Sequence, residues 1–283
     1  MNKKHLALLE FASPWFFDPG TIRLPYPPDD LSAEEIARRL RDGELAQPYI
    51  LETASERRLH FTPEAVQSVM RLDEPNALTS AYTRKMMAFL LFNPKPKSIV
   101  MVGLGGGSLA KFCYRNLRRT KISVVEIDPR VISLRNEFCI PADDHRFRIV
   151  CDDGAHYVSR LSEAVDVLMV DAFDPIGLAP TLASSDFYAH AAQRLRRNGL
   201  LVMNFSGAPR RYLTHIERIR TAFGSLLVVP VVADDNLLLF AFKKQIPLPT
   251  TAKYESRARR LQTRLALEFP RYLRRICQGH VLS

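Results

Sequence analysis

The sequence predicts an α/β fold: a mostly parallel sheet covered by helices, carrying an antiparallel edge hairpin and preceded by a small β unit. Three observations predict it. From Lys97 onward, β-type runs alternate with helix-type runs. Two of those runs, SIVMV from Ser98 and VDVLMV from Val165, are nearly continuous apolar stretches, broken only by Ser98 and Asp166 near their starts, as strands buried on both faces require. A glycine-rich turn joins the first of these strands to a helix.

Residues 1–47 read as an accessory segment. Pro25-Tyr26-Pro27-Pro28 is an extended linker, and Ser32-Ala-Glu-Glu35 is a capping box that opens a short helix ending near Gly43. Residues 48–76 form the small β unit, from runs at Tyr49 to Glu52, Arg57 to Phe61 and Val66 to Leu72. Residues 77–250 form the Rossmann-like domain. A helix rich in Met and Leu runs from Ala77 to Phe92 and is closed by Asn93-Pro94. The strands are Ser98 to Val102, Ile122 to Glu126, Phe147 to Val150, Val165 to Asp171 and Leu200 to Phe205. The helices are Ser108 to Leu117, Pro129 to Phe138, Gly154 to Leu161, Ser185 to Arg196 and Pro209 to Phe223. Leu226 to Val232 and Leu237 to Phe242, separated by Asp234-Asp235-Asn236, read as the edge hairpin. Residues 251–283 read as a basic helix broken at Pro270.

Composition excludes several function classes. The chain has 283 residues, 47% of them hydrophobic, enough for a large domain with a smaller one attached. No run reaches the roughly 18 apolar residues of a membrane span. The N-terminus, MNKKHLALLEFASPWFF, starts like a signal peptide but runs into Glu10 and aromatic residues without a small-residue cleavage site, so a cytoplasmic location is expected. Cys113, Cys139, Cys151 and Cys277 are scattered, with no C-x-x-C pair, which predicts free thiols and no metal site. The net charge of +10 is diffuse and carries no interleaved aromatic signature, so a solvated basic surface explains it better than a nucleic-acid partner.

Acidic residues stand at or just after the ends of three consecutive strands, and a glycine turn follows the strand before them. Val102-Gly103-Leu104-Gly105-Gly106-Gly107-Ser108 lets a ligand approach the backbone and offers helix N-terminal N–H groups. By itself this turn serves NAD, FAD or AdoMet equally well, or is only a tight turn. Glu126, about 20 residues further on, ends the next strand where a ribose diol would be held, while Asp128 caps the following helix. Cys151-Asp152-Asp153-Gly154 follows the third strand; one carboxylate there accepts from an adenine amino group, or caps the next helix. Asp171-Ala-Phe-Asp174-Pro follows the fourth, where open α/β sheets bind ligands. The alternative for Asp171 is a strand-end residue capping a turn. His145, His156 and His190 sit in loop or helix positions, which leaves an NAD dehydrogenase without a hydride-site motif.

From about Tyr49 to Phe205 the chain resembles the spermidine synthase (polyamine aminopropyltransferase) family and its methyltransferase-like relatives. The resemblance rests on Arg71-Leu-Asp73-Glu74 before a helix with Tyr82, the glycine turn, Val-Glu126-Ile-Asp-Pro, the Asp-Asp-Gly triplet, and Asp171-x-x-Asp174-Pro followed by Asp186-Phe-Tyr. It implies a class I AdoMet-type fold, commonly dimeric, that uses AdoMet or decarboxylated AdoMet as co-substrate, without a metal. It also implies cofactor contacts at Gly103, Gly105, Gly107, Glu126, Asp153, Gly154 and Gln67. Asp171 and Asp174 are implied to be the catalytic pair, Asp171 as the general base of an amine acceptor, with Tyr82 and Asp174 helping to bind that amine.

The departures bear on the reaction. The family's glycine loop carries an Asp that grips the cofactor's propylamine cation, and here that slot is Gly106. The Tyr-His-Glu of the family becomes Tyr82-Thr83-Arg84, and the aromatic, proline-rich channel wall is not recognisable near Val231 to Asn236. An Asp at the slot favours a bare cation and repels the carboxylate of intact AdoMet, so Gly106 tilts the pocket toward the intact form. Asp171 and Asp174 point instead to an amine acceptor. Aminopropyl-type transfer to an amine in polyamine-like metabolism and AdoMet-dependent methyl transfer both remain open. A non-catalytic or nucleic-acid-binding module using the basic C-terminal segment is the reading from another class.

Overall fold

The computed structural model describes residues 8–174, 177–206, 212–246, 249–278 and 280–282. The chain divides into two compact units. The first comprises residues 1–79, 104–112 and 128–141, and the second comprises the rest.

The first unit is built on a five-stranded antiparallel sheet in sequence order: β1 (Leu8–Ala12), β2 (Thr21–Pro25), β3 (Tyr49–Glu52), β4 (Glu56–Thr62) and β5 (Ala65–Arg71). Helix α1 (Ala33–Arg41) packs Ile36 and Leu40, one turn apart, with Ile22, Leu24, Tyr49 and Leu51. Ser32 caps this helix by accepting from the Glu35 N–H, as the capping box predicts. The Glu35 carboxylate instead takes Arg38 and Arg39, so only half the box forms. Three strands are expected from the sequence and five are found. Strand β2 alternates buried Ile22 and Leu24 around Arg23, a period-2 signal only five residues long. The expected Pro25–Pro28 linker therefore begins inside a strand, and the chain turns at Tyr26, whose φ is +52°.

The second unit holds a sheet in the order β15-β13-β14-β12-β9-β6-β7-β8. Strands β6 (Ser98–Val102), β7 (Lys121–Glu126), β8 (Phe147–Cys151), β9 (Val165–Val170) and β12 (Leu195–Ser206) run parallel. Strands β13 (Ser225–Val231) and β14 (Asn236–Phe242) form the expected hairpin, with β14 antiparallel to β12 and β15 (His280–Leu282) outermost. Four of the five parallel strands match the sequence reading to within a residue, because largely apolar runs leave little choice of period, whereas β12 begins at Leu195, five residues before the expected Leu200, with a register shift between the two. Within this unit, Val100, Val102, Val170, Leu201 and Met203 pack with Phe187, Tyr188 and Phe205 in one apolar core.

Helices differ more from expectation. Helix α2 (Ala81–Met86) tightens into a 3₁₀ turn over Met87–Leu91. After α3 (Ser108–Asn116), helix α4 stops at Pro129–Ser133, and the chain passes through Cys139 at φ +55° rather than staying helical to Phe138. Helices α5 (Gly154–Ser159), α6 (Ser185–Arg194) and α7 (Leu213–Ala222) each end before the expected limit. The expected start of α7 at Pro209 lies outside the described residues. The C-terminal helix breaks at Ala266, a left-handed residue between α8 (Ala252–Leu265) and α9 (Phe269–Gln278). Pro270 sits in the first turn of α9, where its missing N–H costs nothing.

Candidate active site at the strand tips

In the second unit the parallel register brings the strand ends level, pairing Val102 with Val125 on one side and Val170 on the other. The residues that follow therefore share one edge of the sheet. Gly103 has φ +96°, and a Cβ there would stand 2.1 Å from the Asp171 carbonyl oxygen. Its N–H donates to Val125 O at 2.9 Å, and the Asp171 N–H donates to Val102 O at 2.9 Å. Only glycine fits between these two strand tips.

Asp171 sits at the end of β9. Asn204 Nδ2 donates to its Oδ1 at 2.9 Å, and the Tyr82 hydroxyl bonds the same carboxyl. Burial pushes the Asp171 pKa above the ordinary carboxylate value, and the bonds from Asn204 and Tyr82 only partly oppose this. Burial and the facing Asp171 and Asp234 carboxylates likewise hold the Tyr82 hydroxyl in its protonated, donating form. Asn204 is 2% exposed and accepts in turn from Asn236 Nδ2 at 2.8 Å. The backbone N–H of Tyr82 donates to Asp234 Oδ2 at 2.7 Å, which caps α2 where Ser80 does not. Asn204, Asn236 and Asp234 were missed by sequence reasoning. An amide interrupting the apolar run LLVMNF is the signal that marks Asn204, since a buried polar group needs partners.

The tip of β8 differs. Asp153 is the N-cap of α5: its Oδ1 accepts from the His156 N–H at 2.8 Å and its Oδ2 from Thr181 Oγ1 at 3.1 Å. Asp152 Oδ1 lies 3.0 Å from His156 Nδ1, and this contact holds its pKa below the ordinary value. The helix-capping alternative for this pair thus holds for Asp153, whose carboxylate turns toward its own helix. A Cβ on Gly154 would meet Val102 Cγ1 at 2.3 Å, so glycine there lets α5 lie on β6. Glu126 ends β7, partly exposed, and its carbonyl accepts from the Asp152 N–H at 3.2 Å. The Asp174 side chain lies outside the described residues.

In the first unit, Asp128 caps α4 as expected, accepting from the Arg130 N–H at 2.8 Å and pairing with its guanidinium at 2.7 Å. Gly105 and Gly107 have φ of +50° and +68°. A Cβ on Gly107 would meet Ile140 Cγ1 at 2.5 Å, and one on Gly106 would meet Ser68 Oγ at 2.7 Å and Phe138 at 3.0 Å. The Gly106 slot is therefore closely bordered by Ser68 and Phe138. The loop also offers fewer bare donors than the sequence implies, because the Gly107 N–H already donates to Leu104 O at 2.8 Å. Between β4 and β5 the register slips from Leu59–Ser68 to His60–Val66, leaving Gln67 as the bulged residue beside Ser68. Bulges re-aim side chains and recur next to ligand sites.

Among the described residues, no group of three or more His, Cys, Asp and Glu could hold a metal ion, and no helix is long and apolar enough to cross a membrane. The described cysteines carry free thiols.

Comparison with known proteins gives the family and the fold. The spermine/spermidine synthase domain family matches residues 79–226. The polyamine aminopropyltransferase of Chromobacterium violaceum is 35% identical over 87% of this chain and 98% of its own length. That of Neisseria meningitidis serogroup B is 34% identical over 83% of this chain and 92% of its own. Among solved structures, a probable spermidine synthase from Corynebacterium glutamicum superposes with TM-score 0.63 at 18% identity, covering 76% of this chain and 84% of that one. Human methyltransferase-like protein 13, in complex with SAH, gives 0.57 at 21% identity over 69% and 93%. A spermidine synthase in complex with the transition-state analogue AdoDATO gives 0.55 at 19% identity over 81% and 87%. These likenesses carry the fold, and the family match and the two relatives carry the lineage: the chain belongs to the spermine/spermidine synthase family of transferases.

Proposed function

We propose that this protein transfers an aminopropyl group from decarboxylated AdoMet to a small amine. The observation that supports this most directly is Asp171, a strand-tip carboxylate with a raised pKa, held in one orientation by Tyr82 and Asn204. A carboxylate raised toward neutrality is a better base for an ammonium proton than an ordinary one. Asp171 takes that proton and frees the nitrogen lone pair. The C–N bond forms at the carbon beside sulfur as the C–S bond breaks, and its electron pair neutralises the sulfonium. Because the sulfonium is already activated, the remaining task of the residues is to hold the reactants in line.

In this reading Glu126 holds the ribose diol, and Gly103, Gly105 and Gly107 keep the backbone close to the nucleoside. Asp153 and Gly154 border the adenine, Gln67 contacts the cofactor from its bulge, and Asp174 joins Tyr82 in binding the amine. The pinched Gly103 supports the fit, since any side chain there would fill the approach. No metal takes part. Residues 77–250 would carry the catalysis, in a cytoplasmic homodimer.

One observation favours a second reaction. Gly106 leaves the tail slot without an acidic residue and with Ser68 Oγ beside it, which suits the neutralised tail of intact AdoMet and hence methyl transfer. Calorimetric titration with both nucleosides separates the two. Tighter binding of the decarboxylated form, with an aminopropylated amine detected by mass spectrometry, supports the first reading. Tighter binding of intact AdoMet, with a methylated product, replaces it with the second.

A further inference from the structure

Away from the strand tips, a cavity of about 50 Å³ lies between α2, α9 and the β13–β14 hairpin. Lys85, Arg271 and Arg275 line it above an apolar floor that includes Phe240, Tyr272 and Ile276, each no more than 4% exposed. Arg271 and Arg275 stand four residues apart on α9, so both guanidinium groups project from one face. Arg271 has Glu268 at 3.3 Å on the solvent side. Among the described residues, no carboxylate pairs with Lys85 or Arg275 within 4.0 Å. Burial weakens the charged form of Lys85, Asp234 favours it, and Arg271, Arg275 and Arg84 oppose it. The fold thus places three cations around one void, and Glu268 and Asp234 offset only part of their mutual repulsion.

An anion would relieve it. A cavity of this volume has room for about four water-sized spheres at roughly 10–15 Å³ each, which matches the four oxygens of a tetrahedral oxyanion. Two guanidinium forks and an ammonium offer more donors than one carboxylate can use, and they suit a group with three or more acceptor oxygens. We propose that the Lys85–Arg271–Arg275 cavity binds a phosphate group, at a site that shares no lining residue with the Asp171 network. The ligand is either free phosphate or the phosphoryl end of a small metabolite.

Titration of the full-length protein with inorganic phosphate, at ionic strength held constant with chloride, tests this through thermal midpoint and backbone amide NMR shifts. The expected result is a saturable rise in Tm, with shifts confined to α2, α9 and the hairpin. Arg275→Gln, at an exposed position that leaves the packing intact, should weaken binding roughly tenfold, the worth of one charge-assisted hydrogen bond. Arg259→Gln on the solvent face of α8 should leave it unchanged. A nucleoside 5′-monophosphate run in parallel distinguishes the sources: tighter binding than inorganic phosphate assigns the phosphoryl end of a metabolite, and equal binding assigns the free anion. No saturable response to either probe, or equal affinity in Arg275→Gln and the parent protein, overturns the proposal.

Discussion

The tips of β9 and β8 begin from similar sequence, an acidic residue at the end of an apolar strand, and end with opposite chemistry. At β9, Asp171 meets side chains from other elements, Tyr82 of α2 and Asn204 of β12, and loses water. At β8, Asp153 turns to the His156 N–H of the helix that follows it and to Thr181, while Asp152 stays with the His156 ring near solvent. A carboxylate satisfied by its own helix is held by that helix and keeps an ordinary helix-cap role. One satisfied by side chains recruited from a distance, and left with a raised pKa, is available as a base.

Replacing the carboxylate at β9 tests the contrast most severely. Asp171→Asn keeps the acceptor for Asn204 and Tyr82 but removes the base, so kcat should fall by about 10²–10⁴-fold in steady-state assays. Stability should move the other way. With a raised pKa, the folded protein holds the Asp171 proton more tightly than the unfolded chain does. The stabilisation this gives is complete below the ordinary Asp pKa and is lost as pH rises through the raised value. The asparagine variant avoids that loss, so its Tm should exceed the parent's at neutral pH and match it in acid. A lower Tm at neutral pH would remove the buried-charge account of this tip.

Asn204→Leu sharpens the same side. It removes a donor to Asp171 and strands the Asn236 amide, at a cost of about 1–3 kcal/mol in urea unfolding. Because the Asn204 bond lowers the Asp171 pKa, its loss should move the acid limb of the kcat/KM profile to higher pH. An unmoved limb would mean that Asp171 is not the titrating group.

At the β8 tip the helix cap should show itself in stability. Asp153→Ala is expected to cost about 1 kcal/mol through the lost cap on α5. If adenosyl affinity falls while Asp153→Asn, which keeps the cap acceptor, restores the Tm but not the affinity, the carboxylate also serves the adenine. The smallest effect belongs to Asp152→Asn, at the half-buried partner of the exposed His156, whose Tm at neutral pH should stay within error of the parent.

Much of the fold was legible because it is written in local pattern. Apolar runs such as SIVMV give β6, β7, β8 and β9 to within a residue or two, while the start of β12 was missed by five. Asp128-Pro129 announces a capped helix and forms one. What escaped was short or remote. Strands β1 and β2 are five residues each, and β15 is three, too brief for periodicity to register. The candidate site was legible as a set of acidic strand ends, and Glu126 and Asp171 stand where expected. The roles within that set were not, because Asp153 and Asp171 have the same chemistry until their neighbours are known.

The amino-acid sequence alone determined the succession of the parallel strands, the glycine at the β6 turn and the acidic residues at the tips of β7, β8 and β9, since all of these depend on neighbours within a few residues. Tertiary structure alone decided which carboxylate is withdrawn from water and which caps a helix. The partners of Asp171 come from positions 82 and 204, and a pKa is set by what surrounds a group in space.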